Sequence, residues 1–171
     1  MARTVKVAHV KIGGKNPFVL IAGPCAIENR AMALHLAKAI KKICHKHRIP
    51  FIFKASYDKA NRTSIKSFRG LGLKKGLEIL KEVKTKVNVP ILSDVHTLLE
   101  VAEAGKVLDC IQIPAFLSRQ QDLLVTAGLT GRTINIKKGQ FMAPADMKHA
   151  AKKVEQTGNK KILLAERGSS F

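Results

Sequence analysis

The sequence predicts an α/β protein whose parallel strands curl into a (β/α)8 barrel, of which this chain carries five βα units and a sixth strand. Three observations predict it. Apolar, β-branched runs recur with their ends 20 to 39 residues apart, segments of helical period separate them, and the C-terminal end of each run carries polar or charged residues.

The strands come first. They are "PFVLIAG" (17–23), "PFIFKAS" (50–56), "PILSDV" (90–95), "CIQIPA" (110–115), "TINIKKG" (133–139) and "KILLAERG" (161–168). Their apolar runs are continuous rather than alternating, as suits parallel strands covered on both faces. Between them, 31–47 reads as an amphipathic helix with Met32, Leu34, Leu36, Ala39, Ile40 and Ile43 on one face and Lys38, Lys41, Lys42 and Lys46 toward solvent. Residues 72–87 repeat the pattern with Leu73, Leu77, Leu80, Val83 and Val87. Shorter helices are expected at 98–106 and 120–129, and another within 144–158.

Two architectures accommodate such units. An open doubly wound sheet binds its ligand at one switch point, whereas a closed barrel gathers all its strand ends around one site. Here chemistry sits at every strand end: Cys25 and Glu28, Lys54 to Arg62, Asp94 and His96, Gln112, Lys137 and Lys138, then Glu166 and Arg167. That distribution favours the barrel. A full barrel needs eight units, so the sequence reads as one incomplete barrel domain over 1–171, with the edges of its first and sixth strands unpaired.

Composition bounds the function classes. The chain is 46% apolar and 25% charged, the balance of a globular protein with a hydrophobic core. No run approaches the roughly 18 to 20 apolar residues of a membrane span, and the N-terminus lacks a secretory core, so a cytoplasmic protein without membrane contact is expected. Three cysteines without CxxC spacing imply neither a disulfide framework nor a zinc knuckle. The formal charge of +19 suits a polyanion. Its lysines are spread over every segment, however, and aromatic residues are few, so small anions are the expected partners and nucleic acid is not.

The stretch "FKASYDKANRTSIKSFRGLG" places Lys54, Lys59, Arg62, Lys66 and Arg69 directly after a core strand. Asn61, Arg62, Thr63 and Ser64 combine a guanidinium fork with amide and hydroxyl donors, a set suited to phosphate oxygens; a solvated basic loop is the bland alternative. Lys54 and Ser56 point to the same side of their strand. Lys137 and Lys138 point to opposite sides, so at most one faces the barrel centre, and both have the reach to snorkel to solvent. Gln112 lies between Ile111 and Ile113, where an unpartnered amide costs about 1 to 3 kcal/mol, so a ligand or a neighbouring loop should satisfy it. Arg167 is a second candidate clamp for a carboxylate or phosphate, or else the partner of Glu166 in a surface pair. Asp94 and His96 share one face, for proton handling, for orienting a hydroxyl, or for structure. Cys25 is either a thiolate for a borderline metal or core packing. "CHKH" (44–47) diverges around a helix end, and "GGK" (13–15) precedes a strand and reads as a turn.

Taken together, "IAGPCAIE", "FKASYDKANRTSIKSFRGLGL", "SDVH", "IQIPAFLSRQ", "NIKKGQFMAP" and "ERGSSF" resemble, in order and spacing, the 3-deoxy-D-manno-octulosonate 8-phosphate synthases. "AGPC" is shared with the 3-deoxy-D-arabino-heptulosonate 7-phosphate synthases, whereas "DKANR" with "IQIPAFLSRQ" is similar to the octulosonate branch. The resemblance implies condensation of phosphoenolpyruvate with D-arabinose 5-phosphate and water, for the Kdo sugar of lipopolysaccharide. It implies Lys54, Lys59, Asn61 and Lys137 as catalytic residues. Lys54, Lys59, Lys137 and Arg167 would hold phosphoenolpyruvate, with Ser56, Gln112 and Pro114 beside it and Asp94 in the same site. Asn61, Arg62 and Thr63 would hold arabinose 5-phosphate. Phe116 and Arg119 would approach a neighbouring subunit's site, which implies a homotetramer.

Cys25 resembles the metal-dependent subclass, in which manganese, iron or zinc is also held by a His, a Glu and an Asp from strands beyond "ERGSSF"; the metal-independent subclass carries Asn there. Thr97, Glu100 and Gln121 depart from the family pattern and are expected to be peripheral. The second reading is an inactive remnant that retains anion binding.

Overall fold

In the computed structural model, which describes residues 3–170, the strands and helices alternate as the sequence periodicity requires. The ends of the expected 1–171 domain, including Phe171 of "ERGSSF", lie outside the described residues. Two short strands, β1 (Val5–Val7) and β2 (Val10–Ile12), precede the expected first strand. Then follow β3 (Leu20–Ala22), α1 (Arg30–Lys46), β4 (Phe51–Lys54), α2 (Leu73–Val83), β5 (Ile91–Asp94), α3 (Leu98–Val107), β6 (Cys110–Ile113), α4 (Gln121–Leu129), β7 (Thr133–Lys137), α5 (Met147–Glu155) and β8 (Ile162–Ala165). All six expected strands are present but shorter than their apolar runs, because the polar ends leave the ladder to form the loops of the mouth.

Strand order decides between the two architectures. β3 to β8 form one curled parallel sheet in strict sequence order, each strand bonded to the next, so there is no point at which the order reverses. The result is a half-barrel. Among the described residues β3 pairs only with β4 and β8 only with β7, and Ile21 on the first edge and Leu164 on the last are exposed.

Alternation along the strands divides the core in two. Phe51, Phe53, Ile91, Ile111, Ile113, Ile134 and Ile136 point outward into the main cluster beneath the helices. Ile52, Leu92 and Cys110 point inward at the base, where Val7 and Val10 of the antiparallel β1–β2 hairpin cover them. The Thr133 hydroxyl donates to the Lys6 carbonyl at 2.7 Å and ties the hairpin down. The hairpin leaves little periodic signal in the sequence, since its strands span only three residues each. "GGK" is a turn as expected, with Gly13 and Gly14 at φ 84° and 63°.

The helices have local causes. Asn29 caps α1 by accepting from the Met32 amide at 2.8 Å, and Thr97 caps α3 by accepting from Glu100 at 3.3 Å. The fully buried stripe of α1 is Ala33, Ala37 and Cys44; of the expected face Leu34, Leu36 and Ile40 pack part-buried against the core, whereas Ile43 is 59% exposed. Small residues bring the helix axis close to the sheet, which turns the bulkier side chains to the flanks. Lys41, expected in solvent, donates to the Val87 carbonyl at 2.6 Å, at the π-helical turn Lys84–Asn88 that ends α2. Gly76 lets α2 approach Tyr57, whose Cβ stands 2.2 Å from where an alanine Cβ would be.

Candidate active site at the C-terminal mouth

The inward positions change character from base to mouth. Above Ile52 comes Lys54 and then Ser56; above Leu92, Asp94 and His96; above Cys110, Gln112; above Thr133, Asn135 and Lys137. The same period that buries apolar residues at the base therefore presents polar ones at the top.

Asp94 is the hub and is only 4% exposed. It accepts a short hydrogen bond from the Ser56 hydroxyl, and its other oxygen lies 3.8 Å from the Lys59 ammonium and 3.5 Å from Nε2 of His96. Lys54 donates to Ser56 at 3.1 Å. Burial opposes the Asp94 charge, yet the neighbouring His96 ring, the cations Lys54 and Lys59 and the hydrogen bond from Ser56 hold its carboxyl well below the usual range.

The cations converge on the same space. Burial lowers the Lys54 ammonium, Asp94 counteracts this, and Lys59 and Lys137 lower it further. Burial likewise lowers Lys137, assisted by Arg167 and Lys59, with Asp94 and Cys25 acting in the other direction. Lys54 ends β4 and Lys137 ends β7, Lys59 stands 3.8 Å from Asp94, and Cys25 and Arg167 are exposed in the segments that follow β3 and β8, at the same C-terminal end of the sheet. It is a place where an added anion relieves repulsion among cations held together by the fold.

Beside this cluster lies a cavity of about 440 Å³ lined by Ala60, Asn61, Arg62, Asp94, His96, Pro114, Phe116 and Leu117. Asn61, Arg62 and Thr63 are exposed on the loop after β4, Thr63 outside the lining, and Arg62 donates to the Phe68 carbonyl at 3.2 Å. The neck of the loop is closed: the Lys59 amide donates to the Arg69 carbonyl at 2.7 Å, and the Arg69 guanidinium grips Asp58. Arg119 is not brought to this cavity. It lines a separate one with Ser118, Phe141, Met142, Asp146 and His149.

Several expectations are corrected by the packing. Gln112 needs neither ligand nor loop for its oxygen, which accepts from Asn135 of the adjacent strand at 3.1 Å. The matching triads "IQI" and "INI" on neighbouring strands were the sequence signal for this pair. Lys138 does not snorkel: it is 2% exposed and donates to the carbonyls of Gly139, Met142 and Gly168 at 3.1, 3.0 and 2.8 Å. Glu166 does not pair with the Arg167 guanidinium; its carboxylate accepts from the Arg167 and Gly168 amides at 2.9 and 2.7 Å and lies 3.5 Å from Lys138.

Glu100 and Thr97 are not peripheral. Thr97 caps α3, and Glu100 accepts from the Tyr57 hydroxyl at 2.7 Å and contacts Nδ1 of His96 at 3.1 Å. Burial disfavours the charged His96 ring, but the flanking carboxylates of Asp94 and Glu100 prevail and raise it to about 9. A glutamate four residues after the histidine was the available clue.

Cys25 is exposed, while Cys44 and Cys110 are buried. Among the described residues no group of three or more His, Cys, Asp or Glu side chains is arranged to hold a metal ion, so the donors present around Cys25 do not make up a metal site. No helix of the described residues is long and apolar enough to cross a membrane.

Three curated relatives, from Geotalea daltonii, Koribacter versatilis and Geobacter sulfurreducens, are 57%, 56% and 53% identical to this chain over all 171 residues, and each is named 2-dehydro-3-deoxyphosphooctonate aldolase. The chain spans 63%, 61% and 63% of the length of these relatives. The family model described as the DAHP synthetase I family matches residues 2–171. With the match running through every strand end that forms the mouth, the chain belongs to the DAHP synthetase I family.

Proposed function

We propose that this chain, as a single domain, supplies the anion-binding face of an enzyme that joins phosphoenolpyruvate to D-arabinose 5-phosphate, yielding 3-deoxy-D-manno-octulosonate 8-phosphate and inorganic phosphate for Kdo biosynthesis. The observation that carries the reading is buried Asp94, which accepts from Ser56 and lies 3.8 Å from Lys59 while Lys54 donates to the same Ser56, beside the cavity that presents Asn61 and Arg62. Two phosphorylated anions repel each other, and a preorganised cluster of cations offsets that repulsion before bond formation begins. The names of the relatives favour the octulosonate reaction over the heptulosonate one.

In this reading Lys54, Lys59, Lys137 and Arg167 hold the phosphate and carboxylate of phosphoenolpyruvate, with Ser56, Gln112 and Pro114 lining its place. Asn61, Arg62 and Thr63 hold the sugar phosphate, and Asn61, Lys54, Lys59 and Lys137 act on the reacting groups. Carbon 3 of phosphoenolpyruvate forms a bond to the sugar aldehyde while water adds to carbon 2. The tetrahedral intermediate then loses phosphate by cleavage of its carbon–oxygen bond. Asp94 acts as the fixed counter-charge that keeps these cations together when no substrate is present. Cys25 by itself does not make a metal site. In a homotetramer Phe116 and Arg119 would approach the site of a neighbouring subunit.

Titration calorimetry with phosphoenolpyruvate tests the reading. Binding is expected, weakened about 10- to 100-fold by Lys137→Met, which removes a charge-assisted contact worth roughly 1.5 to 3 kcal/mol. Phosphate release with arabinose 5-phosphate, but not with erythrose 4-phosphate, is the expected activity. Failure to bind phosphoenolpyruvate refutes the proposal; binding without release favours a domain that only captures anions.

A further inference from the structure

Glu100 lies at the first turn of α3 and receives three contacts on one carboxylate oxygen. The Tyr57 hydroxyl donates at 2.7 Å, the His96 amide donates at 2.9 Å, and Nδ1 of His96 lies at 3.1 Å. On the other side of the ring, Nε2 is 3.5 Å from Asp94. A histidine ring with a carboxylate at each nitrogen is satisfied only when both nitrogens carry protons. The Tyr57 ring meets it edge-on with centroids 6.2 Å apart, which fixes the ring plane. The side chain is only 11% exposed and lines both a hollow with Thr97, Leu117 and Asp122 and the adjoining cavity with Asn61, Arg62 and Phe116.

We propose that Glu100 is a positioning residue that holds His96 as an imidazolium on the wall of this cavity, where the ring presents a fixed positive charge and an N–H to the oxygens of a phosphorylated sugar. The identity of that ligand rests on the function proposed above; the state of the ring does not. The 3.5 Å separation from Asp94 is long for a hydrogen bond, so the Nε2 proton can be shared with a ligand oxygen. The charged and titratable groups facing His96 are Asp94 on β5, Glu100 on α3, Tyr57 and Lys59 after β4, Arg62 across the cavity, and Asp122 of α4 in an adjoining hollow. Asp94 and Glu100 are the two in contact with the ring nitrogens, and Glu100 is the one not already shared with lysines.

The test is an NMR titration of the His96 ring in the intact chain, with Glu100→Gln, Glu100→Asp and Tyr57→Phe variants. In the wild type both ring nitrogens should be protonated at pH 7.5, with the half-point near 9. Glu100→Gln should lower the half-point by about one unit or more and Glu100→Asp by less, since the carboxylate is retained; Tyr57→Phe should leave the ring charged at pH 7.5. Arabinose 5-phosphate should bind Glu100→Gln about two- to tenfold more weakly at pH 8, as the half-point falls by about one to two units, and nearly normally at pH 6, a pH split that a purely structural role would not produce. A wild-type half-point near 6.5, or one unmoved in folded Glu100→Gln, overturns the proposal whatever the ligand. If the wild type binds neither sugar phosphate nor phosphoenolpyruvate, the proposed function fails, while the ring titration still decides the role of Glu100.

Discussion

Lys138→Met isolates the contribution of one buried ammonium. Methionine keeps the length of the side chain and its apolar packing, but it leaves the carbonyls of Gly139, Met142 and Gly168 without their shared donor. Charge-assisted hydrogen bonds contribute about 1.5 to 3 kcal/mol each, so three would sum to roughly 5 to 9 if they were additive. They are not additive, because the wild type must desolvate the ammonium and the loop carbonyls in the variant can turn to water. A net loss of about 2 to 4 kcal/mol follows. With a urea slope of about 2 kcal/mol per molar, the unfolding midpoint should fall by about 1 to 2 M. A second readout is local: Gly168 and Ser169 are tied to Lys138, so trypsin should cut after Arg167 faster in the variant. A midpoint shift below about 0.3 M, with unchanged cleavage, would refute the idea that Lys138 pins the β7 and β8 loops together.

Three other outcomes are expected. Asp94→Asn removes the counter-charge shared by Lys54, Lys59 and His96 and should destabilise the fold by about 3 kcal/mol in urea, with inorganic phosphate restoring part of the loss. Gly76→Ala should lower stability by about 1 to 3 kcal/mol in a thermal melt: its new Cβ would meet the Tyr57 Cβ at 2.2 Å, outweighing the usual gain of roughly 1 kcal/mol for alanine in a helix. Because the His96 value rises from 6.5 to about 9 on folding, its stabilisation is fully present below pH 6.5 and is lost as pH rises through 9. After allowance for solvent screening this amounts to about 1 to 3 kcal/mol, readable as a falling melting temperature from pH 6.5 to 9.5 that Glu100→Gln should flatten.

Much of the site could be read from strand ends alone. Lys54, Ser56, Asp94, Gln112 and Lys137 lie at alternate positions of runs whose apolar members mark the strand, so the two-residue period assigns them a face before any fold is known. The grouping of Asn61 and Arg62 beside Asp94 and Phe116 was legible only through the resemblance of the motifs, because nothing local brings a loop after one strand to the end of another. Arg119, three residues beyond Phe116, turns to a different cavity, and no spacing rule predicts that.

What the sequence by itself determined, then, is the order of elements and the inward or outward sense of each strand position, since both follow from local period and from the chirality of the chain. Only the tertiary structure decided how charges are shared. Lys138 and Lys137 are neighbours of the same type, yet one is sealed under three carbonyls and the other faces the mouth. Likewise, Glu100 acquires its role from Tyr57, 43 residues earlier, as well as from nearby His96. Periodicity is a property of neighbours along the chain; the partners of a buried charge are set by which strands lie side by side and how closely the helices settle on them.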